Sequence, residues 1–284
     1  MTPVPRVDAH HHFWRLARGD YAWLTPDLDV LYRDHEPEEL APLLAERNIA
    51  QTVLVQAAPT DAESDFLLEL ASRHDFVGAV VGWVDMAAAE APEKLAARAE
   101  NVWFRGIRPM IQDIADDDWM LRRELTPAFE ALTSLGLRFD ALVQPHHLNK
   151  LLHLVERHPT LPVVIDHGAK PAIATHAFDA WYDRMRVLAS GTQLCCKLSG
   201  LVTEAGRDWQ VEDLAPYADA LFELFGAERL MWGSDWPVVN LAGGYAAWWD
   251  ATQMLLSKAS DAERAAVLGA TATKFYGLED RSDD

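Results

Sequence analysis

Cysteine is almost missing from this chain: Cys195 and Cys196 are the only two among 284 residues, and they are adjacent. Their adjacency disfavours a structural disulfide framework and fits a reducing cytoplasm. No apolar run is long enough to span a membrane. The first residues lack a charged segment followed by an apolar stretch, so nothing argues for secretion. Pro/Gly/Ser-rich linkers and charge blocks are absent as well, and one domain over residues 1–284 is expected. Positive charge is sparse, with 25 Lys and Arg against 44 acids and a formal charge of −19. That balance argues against nucleic acid or an anionic membrane as partner. An anionic substrate would need a local cationic pocket set against this field, whereas a neutral one would not. Most of the excess acid reads as solvated surface.

What is present is a repeated strand-then-helix pattern. Short apolar runs occur at Arg6–His12, Thr52–Ala57, Phe76–Val84, Phe104–Met110, Leu137–Val143, Leu161–Asp166, Gln193–Leu198 and Arg229–Gly233. Most are continuous rather than alternating, as parallel strands covered on both faces require. Helical stripes fill gaps between them, among them Glu38–Arg47 behind Pro37, a run after Asp61, Leu148–Arg157 and Asp213–Phe225. Tyr245–Leu256 and Asp261–Leu268 read as closing helices. This alternation points to a (β/α)8 TIM barrel, an α/β fold. A doubly wound open sheet is the rival, but no strand is followed by the glycine-rich turn of a dinucleotide site. The segment Phe13–His35 is long, poor in helical pattern and rich in Trp, Tyr, Asp and Pro, which suits a functional loop or lid.

In a barrel of this kind the chemistry sits at the C-terminal strand ends, and polar residues accumulate there. On the first strand His10 and His12 share a face and His11 takes the other. Two imidazoles so placed make either a metal half-site or a polar cluster for acid–base work. Arg108 ends the fourth strand, followed by Gln112. Asp166-His167-Gly168 ends the sixth, and Gly233-Ser234-Asp235-Trp236-Pro237 the eighth. His167 could be a core histidine, but the adjacent glycine suggests a turn that exposes the ring. Asp235 sits among apolar residues and needs a partner, as a general base or as a helix cap. Arg108 suits a carbonyl, an oxyanion or a carboxylate, or a structural acid. Lys197 shares a face with Cys195 and Ser199, with the inward face undetermined. His146 and His147 follow the fifth strand. Trp14, Trp23, Trp83, Trp119 and Trp236 could stack on a sugar face or simply fill the core.

These residues resemble a known family. Val7-Asp8-Ala9-His10-x-His12, Gly106-Ile107-Arg108, Asp166-His167-Gly168 and Gly233-Ser234-Asp235-Trp236-Pro237 together are similar to the amidohydrolase superfamily. Arg105–Asp113, Asp117–Leu121 and Cys196–Leu201 look like its sugar-lactonase branch, of the L-fuconolactonase type and related to 2-pyrone-4,6-dicarboxylate lactonase. The resemblance runs from the first strand to Phe275-Tyr276. It implies His10, His12, His167 and Asp235 as the polar centre, with Asp235 the base that activates water. It also implies a place in L-fucose catabolism. Many superfamily members hold one or two divalent metals. Here Arg108 stands where a bridging lysine is usual and Gln144 begins the fifth-strand ending, which argues against a binuclear site. Thr271 replaces a usual asparagine, with an effect expected on local hydrogen bonding rather than chemistry.

The expected activity is therefore hydrolysis of a neutral, small-molecule sugar lactone to the aldonic acid. Asp235 would deprotonate water, and Arg108 with His10, His12 or His167 would stabilise the oxyanion. One histidine, or Lys197, would protonate the departing ring oxygen. Lys197, Trp14, Trp23, Gln112, His146 and Trp236 are the expected substrate contacts. No cofactor is expected to be required, though a single zinc could bind at His10, His12 and Asp235. The alternatives are a zinc-dependent decarboxylase of the same superfamily, a pyrone-dicarboxylate lactonase, and a non-catalytic binding barrel. No dense arginine cluster stands ready for two carboxylates. Oligomeric state is left open.

Overall fold

A computed structural model describes residues 4–278. Eight parallel strands form one sheet in sequential order: β1 (Arg6–His11), β2 (Ile49–Val55), β3 (Val77–Gly82), β4 (Phe104–Ile107), β5 (Arg138–Ala141), β6 (Val163–Ile165), β7 (Cys195–Leu198) and β8 (Leu230–Trp232). The ring closes where His12 N donates to Trp236 O at 2.7 Å and Asp235 N donates to His10 O at 2.8 Å. This is a (β/α)8 barrel, with each expected strand found at its expected place.

Strand alternation sorts the apolar residues into two layers. Val53, Val55, Ala79, Val81, Val164 and Met231 point inward with Val7 and Ala9, over a floor made by Tyr276 and Leu278. Leu54, Val80, Ile107, Phe139, Ile165 and Trp232 point outward and bury against the surrounding helices. Burying both faces explains why the strand segments read as continuous apolar runs.

The helices are α1 (Pro37–Glu46), α2 (Asp61–Ala71), α3 (Ala91–Ala99), α4 (Thr126–Ser134), α5 (Leu148–Arg157), α6 (Asp179–Gly191), α7 (Leu201–Ala205), α8 (Val211–Phe225), α9 (Gly244–Leu255), α10 (Asp261–Ala265) and α11 (Thr271–Tyr276). Local chemistry sets several starts. Pro37 opens α1 behind a Glu36/Glu39 capping box, and the Thr60 hydroxyl accepts from Glu63 N at 3.0 Å to cap α2. The expected closing helix Asp261–Leu268 is shorter: it ends at Ala265, passes through a wide π turn at Ala266–Ala270 and resumes as α11. Thr271, at that junction, donates its hydroxyl to Ala227 O at 2.8 Å. Among the described residues no helix is long and apolar enough to cross a membrane.

Two departures from regularity position the site. The β1–β2 register steps from Asp8 opposite Thr52 to His11 opposite Leu54, three residues against two. Plain alternation from Val7 and Ala9 would turn His10 outward. The extra residue reverses the parity, so His10 and His12 enter the barrel while His11 faces Thr52 and Phe13. The segment from Phe13 to His35 leaves the barrel rim and returns to its own base, where Trp14 and His35 exchange backbone hydrogen bonds of 3.0 and 3.2 Å. It contains no α-helix, only a single 3-10 turn at Leu16–Arg18.

Candidate active site

At the C-terminal end of the barrel, five side chains from four strand ends meet: His10 and His12 from β1, Arg108 from β4, His167 from β6 and Asp235 from β8. His10 Nε2 lies 3.2 Å from His12 Nε2. Asp235 Oδ1 lies 3.7 Å from His10 Nε2, 3.5 Å from His12 Nε2 and 3.9 Å from His167 Nε2. His12 Nδ1 is 2.7 Å from the Val55 carbonyl and must donate to it. The neutral His12 ring therefore presents its Nε2 lone pair toward Asp235.

Backbone strain aims two of these groups. His167 and Asp235 have left-handed φ values of +53° and +58°, a conformation that L-residues with side chains rarely adopt. The seats of His167 and His10 depend on glycine. A Cβ on Gly200 would sit 2.6 Å from His167 Nδ1, and one on Gly233 would sit 2.7 Å from His10 Cβ. His167 Nδ1 also shares a 2.8 Å hydrogen bond with Ser199 Oγ.

Burial weakens protonation of every ring. It pushes His12 down, and it drives His10 well below its ordinary value with help from the Lys197 charge. His167 falls to about 4 for the same reason. Burial opposes ionisation of Asp235, yet His167, His12 and His10 together hold its carboxyl well below the usual carboxylate range. The centre at neutral pH is thus a carboxylate among neutral imidazoles.

Arg108 supplies the positive charge. Its Nη1 lies 3.2 Å from His10 Nε2, its Nη2 donates to Gln56 O, and Gln56 Nε2 donates back to Arg108 O. Two of the five guanidinium donors are thereby committed, and the group lines the pocket. The pocket, of about 180 Å³, is walled by His12, Arg108, His167 and Asp235 below, and by Trp23, Gln112 and Lys170 above. It falls short of the roughly 300–1,000 Å³ typical of drug-sized ligands and suits a small ring.

Four expected substrate contacts lie elsewhere. Lys197 is completely buried beneath His10, 2.5 Å from Asp140 Oδ2, 3.0 Å from Asp166 Oδ1 and 3.1 Å from His10 Nδ1. It points inward, one layer below the pocket lining. Trp14 is buried behind Trp23, their ring centroids 5.3 Å apart, and its indole N–H donates to Arg33 O at 2.8 Å. Trp236 packs against Phe13 and His35. His146 is half-exposed beside Asp117, outside the pocket wall.

No motif in the sequence singled out Gln56, Asp140 or Glu204, whereas Lys170 stood in the strand-six ending as a candidate cation near the substrate. A signal existed for Asp140: a carboxylate inside the apolar run Leu137–Val143 has to find a partner. Tyr276 Oη donates to its Oδ2 at 2.8 Å, and burial lifts it to about 6, while Asp166, resisting the same burial, is held well below its ordinary value by Lys197 and His10.

A family model described as Amidohydrolase matches residues 7–278. The chain belongs to the amidohydrolase family. Its relatives include an L-fucono-1,5-lactonase of Burkholderia ambifaria, 47% identical over 284 residues with 98% of each chain covered. Another, from Burkholderia multivorans, is 36% identical over 300 residues, again covering 98% of both. A crystal structure of a Burkholderia multivorans amidohydrolase with bound zinc superposes with a TM-score of 0.92 at 36% identity, covering 96% of this chain and 99% of that one. This chain is accordingly a hydrolase of the amidohydrolase type. The relatives span the whole barrel, so the site described above lies within the matched region.

Proposed function

We propose that this protein hydrolyses the ring ester of a neutral sugar lactone, of the L-fucono-1,5-lactone kind, to the aldonic acid. The observation that carries this reading is Asp235, a carboxylate kept ionised among neutral imidazoles, with a guanidinium across the same small pocket. The relative that shares 47% of its residues with this chain supports the choice of substrate. So does the pocket charge: Arg108 and Lys170 are offset by Asp113 and Asp235, which leaves no net welcome for a dicarboxylate. The two cysteines, both free and buried, support a cytoplasmic setting. The family match from residue 7 to 278 supports reading the chain as one barrel domain.

In this mechanism Asp235 removes a proton from water, and the resulting hydroxide attacks the lactone carbonyl carbon. The carbonyl electron pair moves onto oxygen, where free N–H groups of Arg108 stabilise the charge; one such donor is typically worth about 3–4 kcal/mol. Collapse of the tetrahedral intermediate breaks the ring C–O bond, and the proton held by Asp235 passes to the departing oxygen. Water has then been added across the ester, and the product acid ionises in solution. His12 and His167 line the reacting centre beside Asp235. Lys197, buried beneath His10, takes no part in proton transfer.

The site also fits a single zinc ion. His10 Nε2, His12 Nε2 and Asp235 Oδ1 face one another at 3.2–3.7 Å, close to the roughly 3.3 Å between ligands on a tetrahedral zinc with bonds of about 2.0–2.1 Å. Those three groups would hold the ion, which when bound would polarise a carbonyl or acidify water. We read it as not required, because Arg108 already provides an electrophile. Among the described residues a second possible set at the centre, His10, Asp166 and His167, shares His10 with the first, and His146 and His147 are turned toward Asp117.

The test is acid release from a panel of sugar lactones by protein stripped with a chelator, near neutral pH. Turnover of L-fucono-1,5-lactone is expected. Absence of turnover on every lactone would overturn the reading. Turnover only after zinc is restored would keep the reaction and overturn metal independence.

A further inference from the structure

Lys170 ends a stretch of four successive left-handed residues, His167 at φ +53°, Gly168 at +57°, Ala169 at +61° and Lys170 at +50°. Three of the four carry side chains, so the conformation is held against an intrinsic preference. Its effect is to fold the chain back after β6 so that both His167 and Lys170 line the pocket. His167 serves the reacting centre. Lys170 has no part in the mechanism above.

Nor is Lys170 used to hold the fold together. Its ammonium faces Glu204 of α7 at 3.6 Å, beyond hydrogen-bond length, and the two side chains are 25% and 27% exposed. An ammonium and a carboxylate held near each other but not closed leave donors and acceptors for a third group. Burial lifts Glu204 above its ordinary value, with Lys170 pulling the other way and Asp235 adding to the rise. Trp23 lines the same pocket, and its indole N–H donates to Ala57 O at 2.7 Å, which fixes the plane of the ring.

A hydroxyl both donates and accepts, and so fits between an ammonium and a carboxylate. The C–H face of a saturated ring fits against an indole. A carboxylate in that place would meet Glu204, in a pocket that Asp113 and Asp235 also line. We propose that Lys170 and Glu204, beside Trp23, form the subsite that reads the ring hydroxyls of the lactone and makes the enzyme selective against lactones that lack them. This rests on the lactonase reading and adds the part of the pocket that recognises the sugar.

The experiment compares L-fucono-1,5-lactone with δ-valerolactone, which has the same ring ester and no hydroxyls, for the wild type, Lys170→Met and Glu204→Gln. Each variant is expected to lose about 10–100-fold in kcat/KM on the sugar lactone, mainly through KM, as expected for lost hydrogen bonds to a charged group. On δ-valerolactone each should stay within about threefold of the wild type, and that retained activity shows that the variant is folded. Equal losses on both lactones, or a fall in kcat at unchanged KM, would overturn the subsite and place the pair in the chemistry or the fold. No loss on either would overturn it as well. A wild type that hydrolyses neither lactone would instead refute the lactonase reading, and the subsite with it.

Discussion

Lys197 Nζ lies 2.5 Å from Asp140 Oδ2 in the barrel interior, and both residues are wholly buried. The same ammonium reaches Asp166 Oδ1 at 3.0 Å and His10 Nδ1 at 3.1 Å. This buried charge layer separates the apolar floor around Tyr276 from the reacting centre above. It holds His10 from below, on the side away from the pocket.

Removing that ammonium would leave two carboxylates facing each other without solvent. Lys197→Met is expected to lower stability by about 3–5 kcal/mol, the usual cost of breaking a buried pair on one side only. Urea denaturation checks it, and Lys197→Met combined with Asp140→Asn should recover part of the loss.

Glu63 gives a pH dependence. It is fully buried, accepts from Tyr21 Oη at 2.8 Å and from Ala57 N at 3.0 Å, and ties the Phe13–His35 segment to the end of β2. Burial lifts its carboxyl from 4.5 to about 7 despite these bonds. The folded state therefore holds a proton that the unfolded state has already lost. The stabilising contribution is complete below about pH 4.5 and disappears as pH rises through about 7, to the extent of about 3 kcal/mol at most. Glu63→Gln removes this slope: relative to the wild type its melting temperature should rise between pH 5 and 8.

Arg108→Lys should lower kcat by about 10²–10³-fold, the usual cost of losing an oxyanion donor. A lysine cannot span the Gln56 carbonyl and His10 as the guanidinium fork does. Steady-state kinetics on L-fucono-1,5-lactone test it.

At Gly200, φ is +64° and an added Cβ would press on the His167 ring at 2.6 Å. Gly200→Ala is expected to cut kcat at least tenfold as His167 is displaced, with a smaller effect on melting temperature than Lys197→Met. Comparing the two variants by kinetics and thermal melting checks both parts.

The eight strands were legible because each carries an apolar run of strand length, and the catalytic end because Arg108, His167 and Asp235 all fall at or just past the ends of such runs. Less visible was the layer order inside the barrel. Parity places Lys197 with Cys195 and Ser199 but does not say whether it meets a ligand or Asp140. The reversal of parity between Ala9 and His10 depends on a β1–β2 register that no single strand encodes. Helix α3 offered only Ala91 and Leu95 as buried positions, too thin a stripe to stand out. In the long segment after β1, composition announced a functional loop, but only its path through space decides that Trp23 reaches the pocket while Trp14 supports it from behind.

Asp235→Asn is the most direct measurement, made on chelator-stripped protein with L-fucono-1,5-lactone while circular dichroism confirms the fold. Asparagine keeps the shape of the side chain and cannot take a proton, so kcat should fall by about 10²–10⁴-fold. Turnover within tenfold of the wild type would contradict the account and move the role of base to His12 or His167.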